Sequence, residues 1–214
     1  MSRFRFAGAI FDLDGTLVQS EHLHRQSWIE PLEELGITVD EDAYLRDFAG
    51  KPGMQIIRDH VGLKGDEAVS LYERVTNNYW QLAVEHAQPT AGVVAFLDRI
   101  ASVPKAVCTS AQRDSALRML DMLDLTRRFD AIVTATDVTL GKPDPEPFVL
   151  AAARISIDPT LCVAFEDSTN GLIAARAAGM TCIGIGPGTG ATAELADGWI
   201  VDFANPALDR MVME

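Results

Sequence analysis

Five short apolar runs constrain this chain more than any other feature. They are "FAGAIF" (6–11), "KAVCT" (105–109), "DAIVTA" (130–135), "CVAFE" (162–166) and "TCIGIG" (181–186). Their β-branched and small apolar residues read as strands buried on both faces. Helix-like stretches separate the later four. In "RDSALRMLDMLDL", Leu117, Leu120 and Leu123 recur at helical spacing, with Asp114 placed to cap the start. "PEPFVLAAARI" and "TNGLIAARAAG" follow, the second ended by Gly179. Strand–helix–strand alternation predicts an α/β fold: an open parallel, Rossmann-like sheet with right-handed crossovers and helices on both faces. "WIVDF" (199–203) is placed to add an edge strand.

Residues 18–88 break the rhythm. They hold no convincing buried strand and read as helices. Trp28, Leu32 and Leu35 share one helical face, and Pro31 is expected to kink or divide that helix. Ala68, Leu71, Val75 and Leu82 give a second face, and Gly50, Pro52 and Gly53 mark a loop between the two. The predicted organisation is a core of 1–17 and 89–214 with a helical insertion of 18–88 after the first strand.

Composition narrows the function classes. The 214 residues are 48% hydrophobic, enough for a real core, and carry a formal net charge of −13. That charge argues against a nucleic-acid binder, which needs a basic face. An anionic substrate would have to be drawn in by local donors against the overall field. No apolar run approaches the roughly 20 residues that span a bilayer, and the first residues, "MSRFRFAGAIF", lack a signal peptide's apolar region. The expectation is a cytoplasmic protein, a monomer or weak homo-oligomer, with no membrane partner. Cys108, Cys162 and Cys182 sit in apolar segments, which suits buried reduced thiols.

In open α/β sheets, ligands bind beyond the carboxyl ends of the strands. At those ends this chain carries Asp12 and Asp14, then Thr109 and Ser110, then Lys142 in "GKPDPEPF", then Glu166 and Asp167 in "FEDSTNG". Clustered carboxylates call for a cation, and an all-oxygen set suits Mg²⁺. Hydroxyls and a lysine suit phosphate oxygens. One aspartate can attack phosphorus, and a second, two residues on, can handle protons. Each motif alone has an ordinary structural reading, as a turn, an N-cap or a plain loop. Their joint placement at successive strand ends carries more weight.

Together, "FDLDGTL", "VCTSA", "GKPDPEPF" and "FEDSTNGLIAARAAGM" resemble, in order, the four motifs of the haloacid dehalogenase-like hydrolase superfamily. Residues 18–88 fall where its phosphoglucomutase-like branch carries a helical cap. The resemblance implies roles. Asp12 would be the nucleophile, and Asp14 would protonate the leaving alcohol and then activate water. Thr109 would hold a phosphoryl oxygen, with Ser110 beside it, and Lys142 would bridge the phosphate and Asp12. Mg²⁺ would be held by the Asp12 side chain, the Asp14 carbonyl and Asp167, with Glu166 supporting it directly or through water.

The cap would select a small phosphorylated metabolite, a sugar or polyol phosphate, and His24 and Trp28 resemble positions in the mutase cap's first helix. His22 and His24 diverge on a helix, so solvent exposure or a cap contact is expected above metal binding. The mutase's arginine for a second phosphate has Gly53 in its place here. Lys51 stands nearby as a possible substitute from another position, and Arg58 reads as surface or hinge. That departure favours a phosphatase over a beta-phosphoglucomutase-like mutase. Gln19 stands where relatives often carry an aspartate, at the turn into the cap.

Two rivals stand beside this reading. "GIGPGTGATAEL" (184–195) satisfies a relaxed dinucleotide fingerprint at Gly186, Gly188 and Ala191, yet its unit from Thr181 to Phe203 is short of the roughly 30 residues such a βαβ unit needs. A non-enzymatic phospho-receiver domain would share the acids, hydroxyl and lysine, but lacks the "DGT" turn and the long insertion.

Overall fold

The computed structural model describes residues 3–49, 51–186 and 194–214. The chain separates into two compact units, Met1–Gln19 with Gln88–Glu214, and Ser20–Ala87.

In the first unit, the apolar runs form β1 (Gly8–Phe11), β2 (Lys105–Cys108), β3 (Ala131–Val133), β4 (Cys162–Glu166) and β5 (Thr181–Ile185). The expected edge strand is β6 (Gly198–Ile200), paired parallel to β5. Among the described residues the sheet has six parallel strands in the order β3-β2-β1-β4-β5-β6. The chain builds outward from β1 to β3, then crosses back to β4 on the other side of β1. The carboxyl ends of β1 and β4 therefore flank the topological switch point.

Alternation along each strand sends residues to opposite faces. Phe11 pairs with Phe165 across β1 and β4, and their rings stack 4.7 Å apart. Phe96 and Phe203 pack on the same aromatic layer. Ile10, Ala106 and Ala164 face the other way, onto Phe148, Ala151, Leu172 and Ala175. Those side chains come from α7 (Glu146–Arg154) and α8 (Thr169–Ala177). Phe96 comes from α5 (Val93–Arg99), so helices cover both faces.

The helix α6 (Arg113–Met122) begins one residue before Asp114. Asp114 therefore lies in the first turn, where its charge complements the helix dipole, and Gln112 occupies the cap position.

The second unit is helical throughout its regular structure: α1 (Glu21–Glu33), α2 (Glu41–Asp47), α3 (Gly53–Ile56) running into a π-helical turn (Ile57–Val61), and α4 (Gly65–His86). Its core is Trp28, Leu32, Tyr44, Phe48, Ile56, Ile57, Ala68, Leu71 and Val75. Three expectations are corrected here. Pro31 does not divide α1, because Leu23, Trp28 and Leu32 bury both halves of one helix. Leu35 lies beyond the helix end and is 45% exposed. On α4 the buried stripe ends on Tyr79 and Ala83, leaving Leu82 half-buried, because steps of four drift around the helix. Gly50, Gly188 and Ala191 lie outside the described residues. No described helix is long and apolar enough to cross a membrane.

Candidate active site

Strand ends assemble the site. Asp12 follows β1, and its N–H donates to the Phe165 carbonyl at 3.0 Å, which keys the end of β1 to β4. Thr109 follows β2 in the same way, donating to the Val133 carbonyl at 2.9 Å. Both are buried. The Thr109 hydroxyl oxygen accepts from the Ala111 N–H at 3.0 Å, while Ser110 is exposed. A hydroxyl that accepts through oxygen keeps its own hydrogen for a ligand.

Lys142 arrives on the loop between β3 and α7, and the loop is well secured. Asp137 accepts from Arg113, Arg154 and Thr134, while Glu146 accepts from the N–H groups of Thr139 and Leu140. The Lys142–Pro143 peptide is cis. The ammonium donates to Asp12 Oδ1 at 2.5 Å, to Glu166 Oε1 at 2.5 Å and to the Cys108 carbonyl at 3.0 Å. Those three acceptors use all three of its hydrogens. Burial alone would lower its pKa, but the carboxylates of Asp12 and Glu166 outweigh that and hold the lysine charged.

Glu166 is fully buried at the end of β4. Its second oxygen accepts from the Ser168 N–H at 2.8 Å and from the Ser168 hydroxyl at 3.0 Å. Ser168 in turn caps α8, accepting from the Gly171 N–H. A side chain at residue 171 would place Cβ 1.7 Å from Glu166 Oε1, so only glycine fits beneath that carboxylate.

Asp167 packs its carboxylate onto Gly15, where an added Cβ would lie 2.0 Å from Oδ2. Gly15 has φ +80, which glycine adopts without steric penalty. Burial, and then the neighbouring Glu166, push the Asp167 carboxyl up to about 8. Asp14 adds a smaller push in the same direction, so it stands near Asp167.

Asp12, Glu166 and Asp167 offer ligand oxygens that all lie within 4.8 Å of one another. Among the described residues one ammonium, that of Lys142, is paired with this cluster, so two negative charges stay uncompensated when all three carboxylates are ionised. Only a divalent cation or protonation removes that excess. The donor set is all oxygen, so the residues fit a hard cation such as Mg²⁺. The Asp14 carboxylate is not one of these three, and Asp14 is half-buried.

The structure thus gathers Asp12, Lys142, Glu166 and Asp167, with Thr109 at the adjacent strand end. His24 belongs to the helical unit, where it stacks on Tyr79 with ring centroids 4.2 Å apart. Arg58 pairs with its neighbour Asp59 on the surface, and Lys51 reaches the Arg46 carbonyl. Sequence reasoning missed the Cys108 carbonyl, Ser168 and Gly171. A backbone acceptor leaves no residue-type signal. The "S-T-N-G" run did signal a helix start, but not the bond back to Glu166.

A model of the haloacid dehalogenase-like hydrolases matches residues 9–185. The chain belongs to that family. Validoxylamine A 7'-phosphate phosphatase of Streptomyces hygroscopicus subsp. limoneus is 36% identical over 83% of this chain and 84% of its own length. Fructose-1-phosphate phosphatase of Escherichia coli is 34% identical over 85% and 97%. Beta-phosphoglucomutase of Bacillus subtilis is 28% identical over 84% and 83%. Among solved structures, CbbY of Rhodobacter sphaeroides in complex with phosphate superposes with a TM-score of 0.78 at 27% identity, covering 94% of this chain and 96% of that one. The hydrolase family sets aside the dinucleotide and receiver readings.

Proposed function

We propose that this chain is a Mg²⁺-dependent phosphoric monoester hydrolase acting on a small phosphorylated metabolite, a sugar or polyol phosphate, through an aspartyl-phosphate at Asp12. The observation that carries the reading is the Lys142–Asp12 bond inside the buried carboxylate trio at the switch point.

Burial pushes the Asp12 carboxyl well above the usual carboxylate range, and the Lys142 ammonium offsets part of that push; it holds one oxygen and leaves the other to attack phosphorus. As the Asp12 O–P bond forms, the ester P–O bond breaks and Asp14 gives the leaving alkoxide a proton. Asp14 then takes a proton from water as the water oxygen attacks phosphorus, and the O–P bond to Asp12 breaks to release phosphate. The Thr109 hydroxyl donates to a phosphoryl oxygen. Asp12, Asp167 and the Asp14 carbonyl would hold Mg²⁺, which when bound supplies compensating charge for the phosphoryl oxygens. Glu166 accepts from Lys142 and Ser168 and would support the cation directly or through water, since each carboxylate oxygen keeps a second lone pair.

Substrate choice is assigned to the helical unit, with His24 as its candidate substrate-binding residue. A mutase needs a site for the second phosphate of a bisphosphate. At the position where the resemblance puts the mutase arginine, a Cβ on Gly53 would lie 2.4 Å from the Tyr72 ring. A side chain there would have to displace that ring, and glycine itself offers no group for a second phosphate, which favours hydrolysis. The test is a panel of sugar, polyol and nucleoside monophosphates, scored for phosphate release with and without a bisphosphate activator. Released phosphate from a sugar or polyol phosphate is expected. Isomerised product with little free phosphate would make the chain a mutase.

A further inference from the structure

Asp14 and Gly15 share a peptide at the rim of the carboxylate cluster, and the turn that carries them is closed by backbone bonds. Gly15 N–H donates to the Val18 carbonyl at 2.7 Å, while Leu17 N–H and Val18 N–H donate to Leu13. The returning chain then lies alongside. Val18 bridges Pro89, and Thr90 N–H donates to the Leu17 carbonyl at 2.8 Å. The Gln19 side chain also joins these two segments across the turn. Gln19 Nε2 donates to the Gly15 carbonyl at 3.2 Å and to the Thr90 hydroxyl at 3.2 Å. Thr90 is buried, so that end of the bond is anchored.

We propose that Gln19 is a positioning residue that latches the Asp14–Gly15 turn to the returning chain at Thr90 and so sets the rate of turnover. In this chain the bond to Gly15 calls for a donor, which the amide supplies. A carbonyl oxygen faces residue 19 from Gly15, so the side chain must present a hydrogen there. A carboxylate of the same shape would set lone pair against lone pair and would add charge beside a cluster already rich in it. An apolar chain of the same length would leave the Gly15 carbonyl to water and free the turn. Because the Asp167 carboxylate rests on the Gly15 α-carbon, a shift of Gly15 displaces Asp14 and the seat of Asp167 together. Small misplacements of reacting groups carry large rate effects.

The proposal rests on the hydrolase reading, and the test separates the two. Gln19→Met and Gln19→Glu are compared with the full-length wild type for kcat, KM, thermal midpoint and amide exchange over 13–19 and 88–91. The latch predicts that kcat falls about tenfold in Gln19→Met and further in Gln19→Glu, with KM held within about twofold. It also predicts faster exchange at both segments, with a midpoint shift no larger than an ordinary surface substitution gives. Unchanged kcat in both variants overturns it. So does a loss of kcat that only tracks a fall in midpoint, which would make Gln19 merely structural. If the wild type releases phosphate from no ester, the hydrolase reading fails by itself and exchange decides the latch. Faster exchange at both segments sustains it, and unchanged protection overturns it.

Discussion

At the residue scale, Lys142 is the group whose removal changes most. It is almost fully buried and, among the described residues, is the one cation bonded to Asp12 and Glu166. Lys142→Met strands two carboxylates in a dry place, and removing one partner of a buried ion pair costs about 3–5 kcal/mol. We expect that loss in chemical denaturation, with turnover down at least about a hundredfold. Asp12→Asn has the opposite balance. It removes one buried charge and leaves Lys142 paired with Glu166, so the fold should persist while phosphate release falls to background. A variant with asparagine at residue 12 and near wild-type turnover would end the aspartyl-phosphate mechanism. Thr16 gives a quieter case. Its hydroxyl oxygen is buried with no hydrogen-bond partner among the described residues. Replacing such a group by an apolar one of equal shape is neutral or favourable. Thr16→Val should therefore leave the denaturation midpoint unchanged or raise it, and a clear drop would show a partner for that hydroxyl.

At the element scale, α8 and the loop before α7 set the site's rigidity. Gly171 lies inside α8, where alanine would ordinarily add about 1 kcal/mol of helix stability. Here the new methyl would overlap Glu166, which is pinned by Lys142 and Ser168, and overpacking costs about 1–3 kcal/mol. The overlap wins, so Gly171→Ala should lower both thermal midpoint and kcat, and a stabilised, fully active variant would refute the packing argument. Asp137 anchors the Lys142 loop. Burial alone would raise its pKa, but bonds from Thr134, Arg154 and Arg113 hold it well below the usual carboxylate range. A depressed carboxyl adds stability that is complete above its unfolded value near pH 4 and is lost as pH falls through that region. Asp137→Asn should thus cost about 2 kcal/mol at neutral pH, a gap from wild type that narrows below about pH 4. Much of this layout was legible in sequence, because buried parallel strands are short apolar runs and the residue after each run sits at the site. Asp12, Thr109 and Glu166 were found that way. What escaped was the support. Asp114, Leu35 and Leu82 were misplaced by a residue or a turn, since helix ends and drifting stripes are set by tertiary packing. The Asp137 network joins residues with no sequence pattern between them.

At the scale of the whole molecule, the question is how a chain with net charge −13 keeps a carboxylate cluster buried at its switch point. Part of the answer is protonation. The Asp167 carboxyl is pushed up to about 8, against about 3.9 unfolded. Between those two values this carboxyl is protonated in the folded chain and ionised in the unfolded one, so it makes ion-free stability fall as pH rises. A divalent cation needs the ionised carboxylates and so competes with that proton. Its stabilising effect should therefore be small near pH 5.5 and large near pH 8.5. Thermal unfolding in chelator and in excess Mg²⁺ at both pH values checks this. In chelator the midpoint should drop toward high pH, and Mg²⁺ should restore it together with phosphate release. Asp167→Asn should flatten both the pH slope and the Mg²⁺ response. A Mg²⁺ shift of equal size at the two pH values, or one that survives in Asp167→Asn, would remove Asp167 from the cation's ligands and leave the excess charge of the cluster to be balanced by protons alone.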